Sequence, residues 1–546
     1  MRMLLAALLI CSALVAGPAR PAKGLVVSQD RRASEAGASV LRQGGNAVDA
    51  AVATAFALAV THPAAGNLGG GGFLVLRQPD GGSTTFDFRE VAPAAARPES
   101  FLVDGRPDED LRHERGTAVG VPGSVAGLHR AWRTRGRRPW ASLLAPAIRL
   151  ADRGFEVSPV LARSLEEAWP RLSRHEGSRA AFGREGRPLR AGERLVQKDL
   201  ARTLRRIAAK GPAGFYAGPV AAAIVKEMAA TGGLITAADL KAYRVLERPA
   251  LRGAYRGWEI TAMGPPSSGG QVLLESLNLL EGWPLGELPE ARRFHLLAES
   301  LRRAFLDRAR YLGDPEANPG MPLARIVSKP YAEALRAGID PDRASASDPA
   351  QALPEAEPEH TTHLSVVDRE GRAVALTTTL EDSYGSAILV RGAGFLLNNE
   401  MGDFNAAPGL TDREGKIGTA PNLVRPGRRM LSSMCPAILA RGDELLVVGS
   451  PGGRTIPSTV LCVVVGLVDR GLGAQAAVDA PRLHHPWLPD RIQAEPGLPI
   501  AALEALGHTV KPVKKQGVAQ VIRVRGASIE GGADGLRYGD SAAVPE

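Results

Sequence analysis

The chain has 546 residues, 44% of them hydrophobic and 23% charged, and a formal net charge of +9. This composition is ordinary for a globular protein, and the length allows a large core or several domains. The positive excess consists of arginines scattered singly or in pairs, such as Arg302-Arg303 and Arg428-Arg429, with no dense basic run. We therefore expect a solvated basic surface and no nucleic-acid binding.

The N-terminus has the pattern of a secretory signal. Met1-Arg2 precedes an apolar run over residues 3–17, and small residues suited to cleavage lie within residues 16–22. The run is shorter than the roughly 20 residues that a membrane-spanning helix requires. We predict a signal peptide over residues 1–22 and an exported protein, periplasmic or secreted, with no stable membrane span after signal removal. An uncleaved N-terminal anchor is the alternative.

The cysteines and histidines do not indicate a disulfide framework or a metal site. Cys11 lies in the signal region, while Cys435 and Cys462 lie in apolar surroundings that favour buried free thiols. His484-His485 and Asp490 fit no standard metal-ligand spacing. We predict no metal and no cofactor.

The first predicted elements surround a glycine-rich loop. Residues 33–42 have the pattern of a helix, and Asn46 is a suitable N-cap for a strongly apolar helix over residues 47–60. The loop over residues 66–72 precedes a strand over residues 73–76. It lacks the Gly-Lys-Ser/Thr ending and the following helix of a phosphate-binding loop, so we interpret it as close backbone packing near a site.

The rest of the first half is predicted to be mainly helical. Its segments are a strand over residues 84–89, a helical region over 96–250, helices over 272–280 and 289–311, and a linker-like stretch over 342–359. The turn over residues 264–270 is rich in Pro and Gly, and we interpret its two serines as part of a rigid structural turn near the site. Ser124 does not lie in a Gly-x-Ser-x-Gly elbow, which excludes an α/β-hydrolase esterase.

The second half is richer in strands. Residues 362–367 and 373–378 form a predicted hairpin. A strand over residues 444–448 runs into Gly449-Ser450-Pro451-Gly452-Gly453, and a helix over residues 455–468 follows. The N–H groups of the last two glycines would lie at the positive end of that helix, which suits an oxyanion hole, although a simple tight turn has the same pattern.

Thr361 lies where the linker-like stretch meets the first strand of the hairpin. If the His360–Thr361 bond were cut, Thr361 would carry a free α-amine beside its own hydroxyl. An adjacent amine is one known means of activating a weak hydroxyl nucleophile. The sequence therefore makes Thr361 a candidate catalytic nucleophile.

Several motifs connect the chain to a known family. They are, in chain order, TTHLSVVD from Thr361, AVALTTTLEDSYGS from Ala373, GFLLNNEMGDF from Gly394, MLSSMCPAI from Met430 and GSPGGRTI from Gly449. Together they resemble the γ-glutamyltranspeptidases, also called glutathione hydrolases, which are self-cleaving members of the N-terminal nucleophile hydrolase superfamily. The resemblance runs from about Gly24 to the C-terminal region.

This resemblance implies a fold, a subunit organisation and an activity. The expected fold is an α/β (α+β) four-layer αββα sandwich, formed jointly by two subunits from one precursor. Autocleavage at His360–Thr361 would give a large subunit over residues 23–360 and a small subunit over 361–546, which stay in one globular unit. The implied activity is acyl transfer through a γ-glutamyl–enzyme ester, from glutathione and related compounds to water, amino acids or dipeptides.

The resemblance also assigns site residues. Thr361 is the implied nucleophile, assisted by Thr379, and Gly452 and Gly453 are implied to hold the oxyanion. The implied ligands of the substrate α-carboxylate are Arg89, Ser432 and Ser433, and those of its α-ammonium are Glu381, Glu400 and Asp403. Because a γ-glutamyl group is a zwitterion, we expect the cationic and anionic groups on opposite sides of it.

Two departures from the family pattern concern specificity. Position 381 is acidic where some relatives carry Asn, which should tighten the grip on the ammonium. The lid-length segment from Asn405 to Leu431 has no aromatic residue, whereas a Tyr on this lid closes the pocket in some relatives. The sequence therefore provides no aromatic gate over the site.

Two alternatives stand beside this interpretation. Cephalosporin acylases of the same superfamily bind glutaryl or adipyl groups, which lack an α-ammonium, and the three acidic residues argue against that activity. A non-catalytic exported protein that only binds γ-glutamyl compounds is the second alternative. The intact set of Thr361, Thr379, Gly452 and Gly453 argues against it.

Overall fold

The computed structural model describes residues 19–348, 360–405 and 419–546. Most of the predicted signal peptide, the end of the linker-like stretch and the centre of the predicted lid lie outside the described residues. Among the described residues, no helix is both long enough and apolar enough to cross a membrane.

The described chain contains strands throughout its length. They are β1 (Leu25–Ser28), β2 (Gly71–Arg77), β3 (Ser83–Asp87), β4 (Leu102–Val103), β5 (Arg106–Pro107), β6 (Phe155–Glu156), β7 (Gly183–Arg184), β8 (Arg187–Pro188), β9 (Arg194–Leu195), β10 (Leu246–Arg248), β11 (Leu251–Tyr255), β12 (Trp258–Ala262), β13 (His360–Val367), β14 (Ala373–Glu381), β15 (Ala437–Arg441), β16 (Glu444–Gly449), β17 (Leu483–His484), β18 (Ile492–Ala494), β19 (Val510–Pro512), β20 (Gln520–Arg525), β21 (Ser528–Ala533) and β22 (Ala542–Pro545).

The helices are concentrated in the first half. They are α1 (Arg31–Arg42), α2 (Ala47–Thr61), α3 (Glu109–His113), α4 (Ser124–Arg135), α5 (Trp140–Arg153), α6 (Pro159–Leu172), α7 (Glu176–Phe182), α8 (Lys198–Lys210), α9 (Ala213–Tyr216), α10 (Gly218–Thr231), α11 (Ala237–Ala242), α12 (Gly269–Leu280), α13 (Glu290–Tyr311), α14 (Leu323–Ile326), α15 (Lys329–Arg336), α16 (Ile456–Val468), α17 (Ala474–Asp479) and α18 (Ile500–Ala505).

Two antiparallel sheets form the centre of the fold. The first has seven strands in the order β10-β3-β2-β14-β13-β1-β22, and the second has six in the order β11-β12-β15-β16-β20-β21. Each sheet takes strands from both sides of position 361 in the sequence. A cut before Thr361 would therefore leave both pieces hydrogen-bonded within the same two sheets.

Side-chain alternation along the first sheet places it between helices and the second sheet. On β2, Leu74 and Leu76 pack in a core with α1, α2 and the helices that follow them. Phe73 and Val75 face the other way and share a core with the six-stranded sheet. Helices α12, α16 and α17 pack on that second sheet. These contacts give the order of helix, sheet, sheet and helix that the family resemblance implies.

Helix α2 shows how local sequence produces this arrangement. Asn46 caps it by accepting hydrogen bonds from the N–H groups of Val48 and Asp49, and Asp49 bonds back to Asn46 N. All fifteen residues of the helix are buried. A helix that is apolar on every side is stable only inside a core, where each fully buried Val or Leu contributes about 2 kcal/mol.

The predicted elements are found in the structure, with shifted ends. Helix α1 begins two residues early because Asp30 accepts hydrogen bonds from Arg32 N and Ala33 N. Strand β3 ends at Asp87, so Arg89 lies beyond it, and its N–H donates to Asp87 Oδ1. The helical region over residues 96–250 is mainly helical as predicted, but it also contains short hairpins, such as β4–β5, that the sequence did not indicate.

The two cysteines in the described chain are free, as predicted. Cys435 is buried, Cys462 is partly buried, and neither forms a disulfide. Burial raises the pKa of Cys462 to about 11 and that of Cys435 still further. Both thiols are therefore protonated and unreactive at neutral pH.

Candidate active site

The candidate site lies at the start of β13, where the pairing with β14 is irregular. Thr361 lies opposite Thr379, whereas His360 lies opposite Glu381, so the register shifts at the His360–Thr361 bond. Glu381 has a φ of +77°, a left-handed conformation that is uncommon for a residue with a side chain. Bulges of this kind bend a strand locally and are frequent next to active sites.

A small cavity brings most of the predicted site residues together. It is lined by Arg89, Thr361, Thr379, Glu381, Asp403, Ser432, Ser433, Met434, Gly453 and Ile456. Its volume is about 20 Å³, which is room for roughly one water molecule. Glu400 does not line the cavity but forms an ion pair with Arg89, which does. Gly452 precedes the lining residue Gly453 in the sequence.

Both threonines are buried, and hydrogen bonds hold Thr379 on β14. Thr361 and Thr379 are both buried, with 7% and 3% of their surface exposed. Thr379 Oγ1 accepts a hydrogen bond of 2.8 Å from Glu381 N. Asn67 Nδ2 donates to Thr379 O at 2.8 Å and to Thr378 Oγ1 at 3.0 Å. The glycine-rich loop, predicted to pack near a site, therefore holds the strand that carries Thr379.

Gly70 in that loop has no room for a side chain. A Cβ added there would lie 2.1 Å from Thr379 O and 2.7 Å from Asn67 Oδ1. We expect Gly70→Ala to lower the free energy of unfolding by about 3 kcal/mol, because neither the backbone of β14 nor the Asn67 amide that binds it can move freely. Calorimetry should show a lower unfolding temperature. Gly320→Ala is the control, since nothing lies within 4 Å of its added Cβ; equal unfolding temperatures for the two variants would contradict the packing argument.

Arg89 contacts two of the residues predicted to bind the ammonium. Its Nη1 lies 2.5 Å from Glu400 Oε2 and 3.6 Å from Glu90 Oε2, and its Nη2 bonds to Asp403. Arg89 Nε also donates to Met430 O, and its Nη2 also donates to Leu431 O. These ion pairs bring the cationic and anionic groups into contact, and their placement on opposite sides of a bound substrate stays a prediction. Unpaired buried charges are costly, so the guanidinium pairs with the carboxylates within its reach.

This charge cluster holds more carboxylates than cations. Burial lowers the pKa of Arg89, but Glu400, Asp403 and Glu90 outweigh it and raise that pKa. Burial also raises the pKa of Glu90 to about 8 and that of Glu400 well above its usual range, although Arg89 opposes both shifts. Some of these carboxyls therefore keep protons at neutral pH. A bound ammonium would displace such protons and gain a carboxylate partner.

Glu381 has a histidine partner that the sequence did not suggest. His113 Nδ1 lies 3.3 Å from the Glu381 carboxylate. His113, Glu381 and Asp382 also bring potential metal-ligating atoms within 4.8 Å of one another. The imidazole lies between Glu109 and Glu381, and Asp382 accepts a hydrogen bond from Asn399.

The serine loop is supported by the turn at residues 264–270. Ser432 N donates to Pro266 O at 2.8 Å, and Ser268 N donates to Ser432 O at 2.7 Å. From α13, Arg308 Nε donates to Ser268 Oγ at 2.9 Å and Nη2 donates to Ser433 Oγ at 3.3 Å. The turn is thus structural and adjacent to the site, as predicted, and Arg308 places a second guanidinium behind the two serines.

The glycine pair adopts backbone conformations that favour glycine. Gly452 has a φ of +128° and Gly453 a φ of +51°. Thr455 N and Oγ1 both donate to Gly452 O, at 3.0 and 2.7 Å, and close a 3₁₀ turn that leads into α16. Gly453 lines the cavity, so the start of this turn lies beside Thr361.

Several buried polar residues that support the site gave no clear signal in the sequence. Asn398 Nδ2 donates to Gly69 O and Gly120 O, and Asn398 Oδ1 accepts from Glu400 N. The pair Asn398-Asn399 is typical of a turn by sequence, yet both residues are fully buried. Only their position beside Glu400 could have suggested this supporting role.

Comparisons with known proteins agree with these observations. Residues 33–544 match the family model described as Gamma-glutamyltranspeptidase. The chain is 43% identical over 535 residues to the glutathione hydrolase proenzyme of Escherichia coli (strain K12), covering 96% of this chain and 91% of that relative.

Solved structures of two enzymes are also similar to this chain. The cephalosporin acylase from Bacillus halodurans superimposes with a TM-score of 0.83 at 27% identity, with 96% of each chain covered. The γ-glutamyltranspeptidase of Helicobacter pylori has a TM-score of 0.57 at 41% identity, covering 58% of this chain and 91% of that one. The resemblance found in the motifs is confirmed: the chain belongs to the γ-glutamyltranspeptidase family of enzymes with an N-terminal nucleophile.

Proposed function

We propose that this protein is a γ-glutamyltransferase and glutathione hydrolase that matures by cutting its own chain before Thr361. The observation that carries the proposal is the lining of one cavity by Thr361, by the guanidinium of Arg89 and by the carboxylates of Glu381 and Asp403. A hydroxyl nucleophile is thereby combined with groups of both charges, which a γ-glutamyl zwitterion needs. The glutathione hydrolase relative supports the same substrate class.

Maturation begins with attack of Thr361 Oγ on the carbonyl carbon of His360. The peptide nitrogen leaves as the Thr361 amine, and water hydrolyses the resulting ester. The register shift at this bond supports the assignment, because a bulge removes it from regular strand pairing. The products are a large subunit ending at residue 360, which begins at residue 23 once a signal over 1–22 is removed, and a small subunit over 361–546.

Catalysis uses the same hydroxyl with its new amine. Thr361 Oγ attacks the γ-carbonyl carbon of the donor while the α-amine takes the proton, and Thr379 hydrogen-bonds the nucleophile. The N–H groups of Gly452 and Gly453 hold the oxyanion. The leaving amine takes the proton and departs, which leaves a γ-glutamyl ester on Thr361. Water then releases glutamate, or an amino acid or dipeptide amine accepts the acyl group.

Substrate binding exchanges one set of ion pairs for another. The donor α-carboxylate takes Arg89, Ser432 and Ser433 as partners, and its α-ammonium takes Glu381, Glu400 and Asp403. Because Arg89 is paired with Glu400 and Asp403, a zwitterion entering between them leaves every buried charge with a partner. Because the Arg89 guanidinium already contacts Glu400 and Asp403, binding of the zwitterion requires these side chains to separate.

We also propose that the protein is exported and that its substrates are small molecules. It requires no nucleic acid, metal or cofactor. The signal pattern over residues 1–22 supports a periplasmic or secreted location. The two subunits stay together because both sheets contain strands from each.

A cephalosporin acylase activity is the second candidate, and the similarity to an acylase structure over the whole chain favours testing it. The anionic groups argue for the γ-glutamyl donor, since a glutaryl group carries no ammonium to pair with them. We expect kcat/KM for a γ-glutamyl anilide to exceed that for the glutaryl anilide by about 100-fold or more, because glutaryl leaves buried carboxylates unpaired. Both rates are read from release of the same aniline.

Equal or better turnover of the glutaryl anilide would overturn the assignment in favour of the acylase. Binding of glutathione by an uncut chain, without turnover of either anilide, would instead support a non-catalytic binding protein.

A further inference from the structure

A chain of three side chains connects the exposed carboxylate of Glu109 to Glu381 in the cavity lining. His113 is the last residue of α3, and its Nε2 lies 3.2 Å from Glu109 Oε2, one turn earlier on the same helix. Its Nδ1 lies 3.3 Å from Glu381. Arg112 anchors this helix end by donating to Gly402 O at 2.7 Å. The imidazole is thus held by a fixed helix and bridges two carboxylates.

The side chains of His113 and Glu381 both pack against Gly402. A Cβ added to Gly402 would lie 2.3 Å from His113 Cε1 and 2.6 Å from Glu381 Oε1. Gly402 lies between Glu400 and Asp403, the other two residues assigned to the substrate ammonium. The contact between His113 and Glu381 is therefore packed against the backbone of the ammonium subsite, which limits both side chains to one arrangement.

We propose that His113 is a positioning residue which, through its contact with Glu381, aims that carboxyl group at the substrate ammonium and favours its ionised form, and thereby sets the preference for γ-glutamyl over glutaryl donors. The inference rests on the proposed function and names the device that enforces its substrate class. It also explains how an acidic residue can stand at position 381. A buried carboxyl group ionises more readily beside a cation, and His113 supplies one at 3.3 Å.

The electrostatic surroundings agree with this role. Burial raises the pKa of Glu381 to about 8, although the His113 imidazolium lowers it. Burial lowers the pKa of His113, but Glu381 and Glu109 raise it to about 10. The hydrogen bond from His113 lowers the pKa of Glu109 to about 2. The other charged groups facing the pair are Arg112 on α3, Asp382 beside Glu381, and Glu400 and Asp403 around Gly402.

The direction of the effect follows from the sign of each charge. The ionised form of Glu381 binds the ammonium, so KM for the donor falls as the pH rises through the pKa of Glu381. Removing the imidazolium leaves burial and the neighbouring carboxylates, which all raise that pKa. A smaller fraction of the carboxyl would then be ionised at neutral pH, and the fall in KM would move to higher pH.

The test is His113→Gln, measured as the full-length, matured enzyme. We expect KM for the γ-glutamyl anilide at pH 7 to rise about tenfold, as a shift of one pKa unit gives, with kcat within about twofold. KM for the glutaryl anilide should not change, since that donor has no ammonium. His113→Lys, which retains a cation, should recover part of the lost affinity. His129→Gln, whose imidazole packs on Trp132 and Trp140 away from the cavity, is the matched control and should match wild type.

Equal losses for both donors, or an unchanged KM and an unchanged pH profile, would overturn the inference. These outcomes are distinct from failure of the proposed function. That failure appears in the wild-type enzyme itself, as a preference for the glutaryl donor or as no turnover.

Discussion

Thr361→Ala is expected to remain a single uncut chain and to have no measurable γ-glutamyl turnover. The substitution removes the hydroxyl that attacks the His360 carbonyl, so neither cleavage nor the free α-amine can follow. In serine proteases, loss of the nucleophile lowers activity by at least about 10⁴-fold. A denaturing gel and intact mass of wild type beside the variant make the measurement. Wild type should give two fragments, the smaller one starting at Thr361.

The neighbouring threonine provides a close control. Thr362 is also buried, and its Oγ1 has no hydrogen-bond partner among the described residues. Thr362→Ala should therefore cleave and turn over normally. Thr361→Ser, which keeps a hydroxyl, should still cleave, though more slowly. Normal cleavage of Thr361→Ala would show that another group cuts the chain and that the nucleophile has been misassigned.

Arg89→Lys is expected to lower kcat/KM for a γ-glutamyl anilide by about 100-fold or more. Lysine keeps the charge but offers one ammonium nitrogen in place of a planar fork. Arg89 uses separate nitrogens for Glu400 and Asp403, and the proposed α-carboxylate contact needs the same fork. Losing one partner of a buried, hydrogen-bonded charge pair costs about 2–5 kcal/mol.

A donor that lacks the α-carboxylate identifies the cause of that loss. A 4-aminobutyryl anilide cannot use the Arg89 contact, so wild type should discriminate strongly against it and Arg89→Lys should discriminate much less. Arg77→Lys is the matched control, because Arg77 is a partly buried arginine at the end of β2 and lies outside the cavity lining. Equal losses for both donors in Arg89→Lys would assign the effect to folding rather than to carboxylate recognition.

Local sequence signals predicted much of the fold. The Asn46 cap, the apolar run of α2 and the hairpin of β13 and β14 each depend on residues a few positions apart, and all three are present. The pairing of β1 with β22 joins opposite ends of the chain and has no local signal. The αββα layering was likewise implied by the family rather than by periodicity.

The candidate site shows the same division. The motifs pointed to most of the residues that line the cavity beside Thr361, and the roles of these residues stay predictions. They did not predict that Arg89 would contact Glu400 and Asp403, since that contact depends on how buried charges find partners in three dimensions. His113 was missed because a lone histidine at the end of a five-residue helix has no pattern of its own.

The central claim is that Thr361 carries the γ-glutamyl group during turnover. The most direct measurement is the intact mass of both fragments after rapid acid quenching of the enzyme with a γ-glutamyl anilide. We predict that the small fragment gains the mass of one γ-glutamyl group and that peptide mapping assigns the added mass to Thr361. An adduct on any other residue, or sustained turnover with no adduct on the small fragment, would contradict the account.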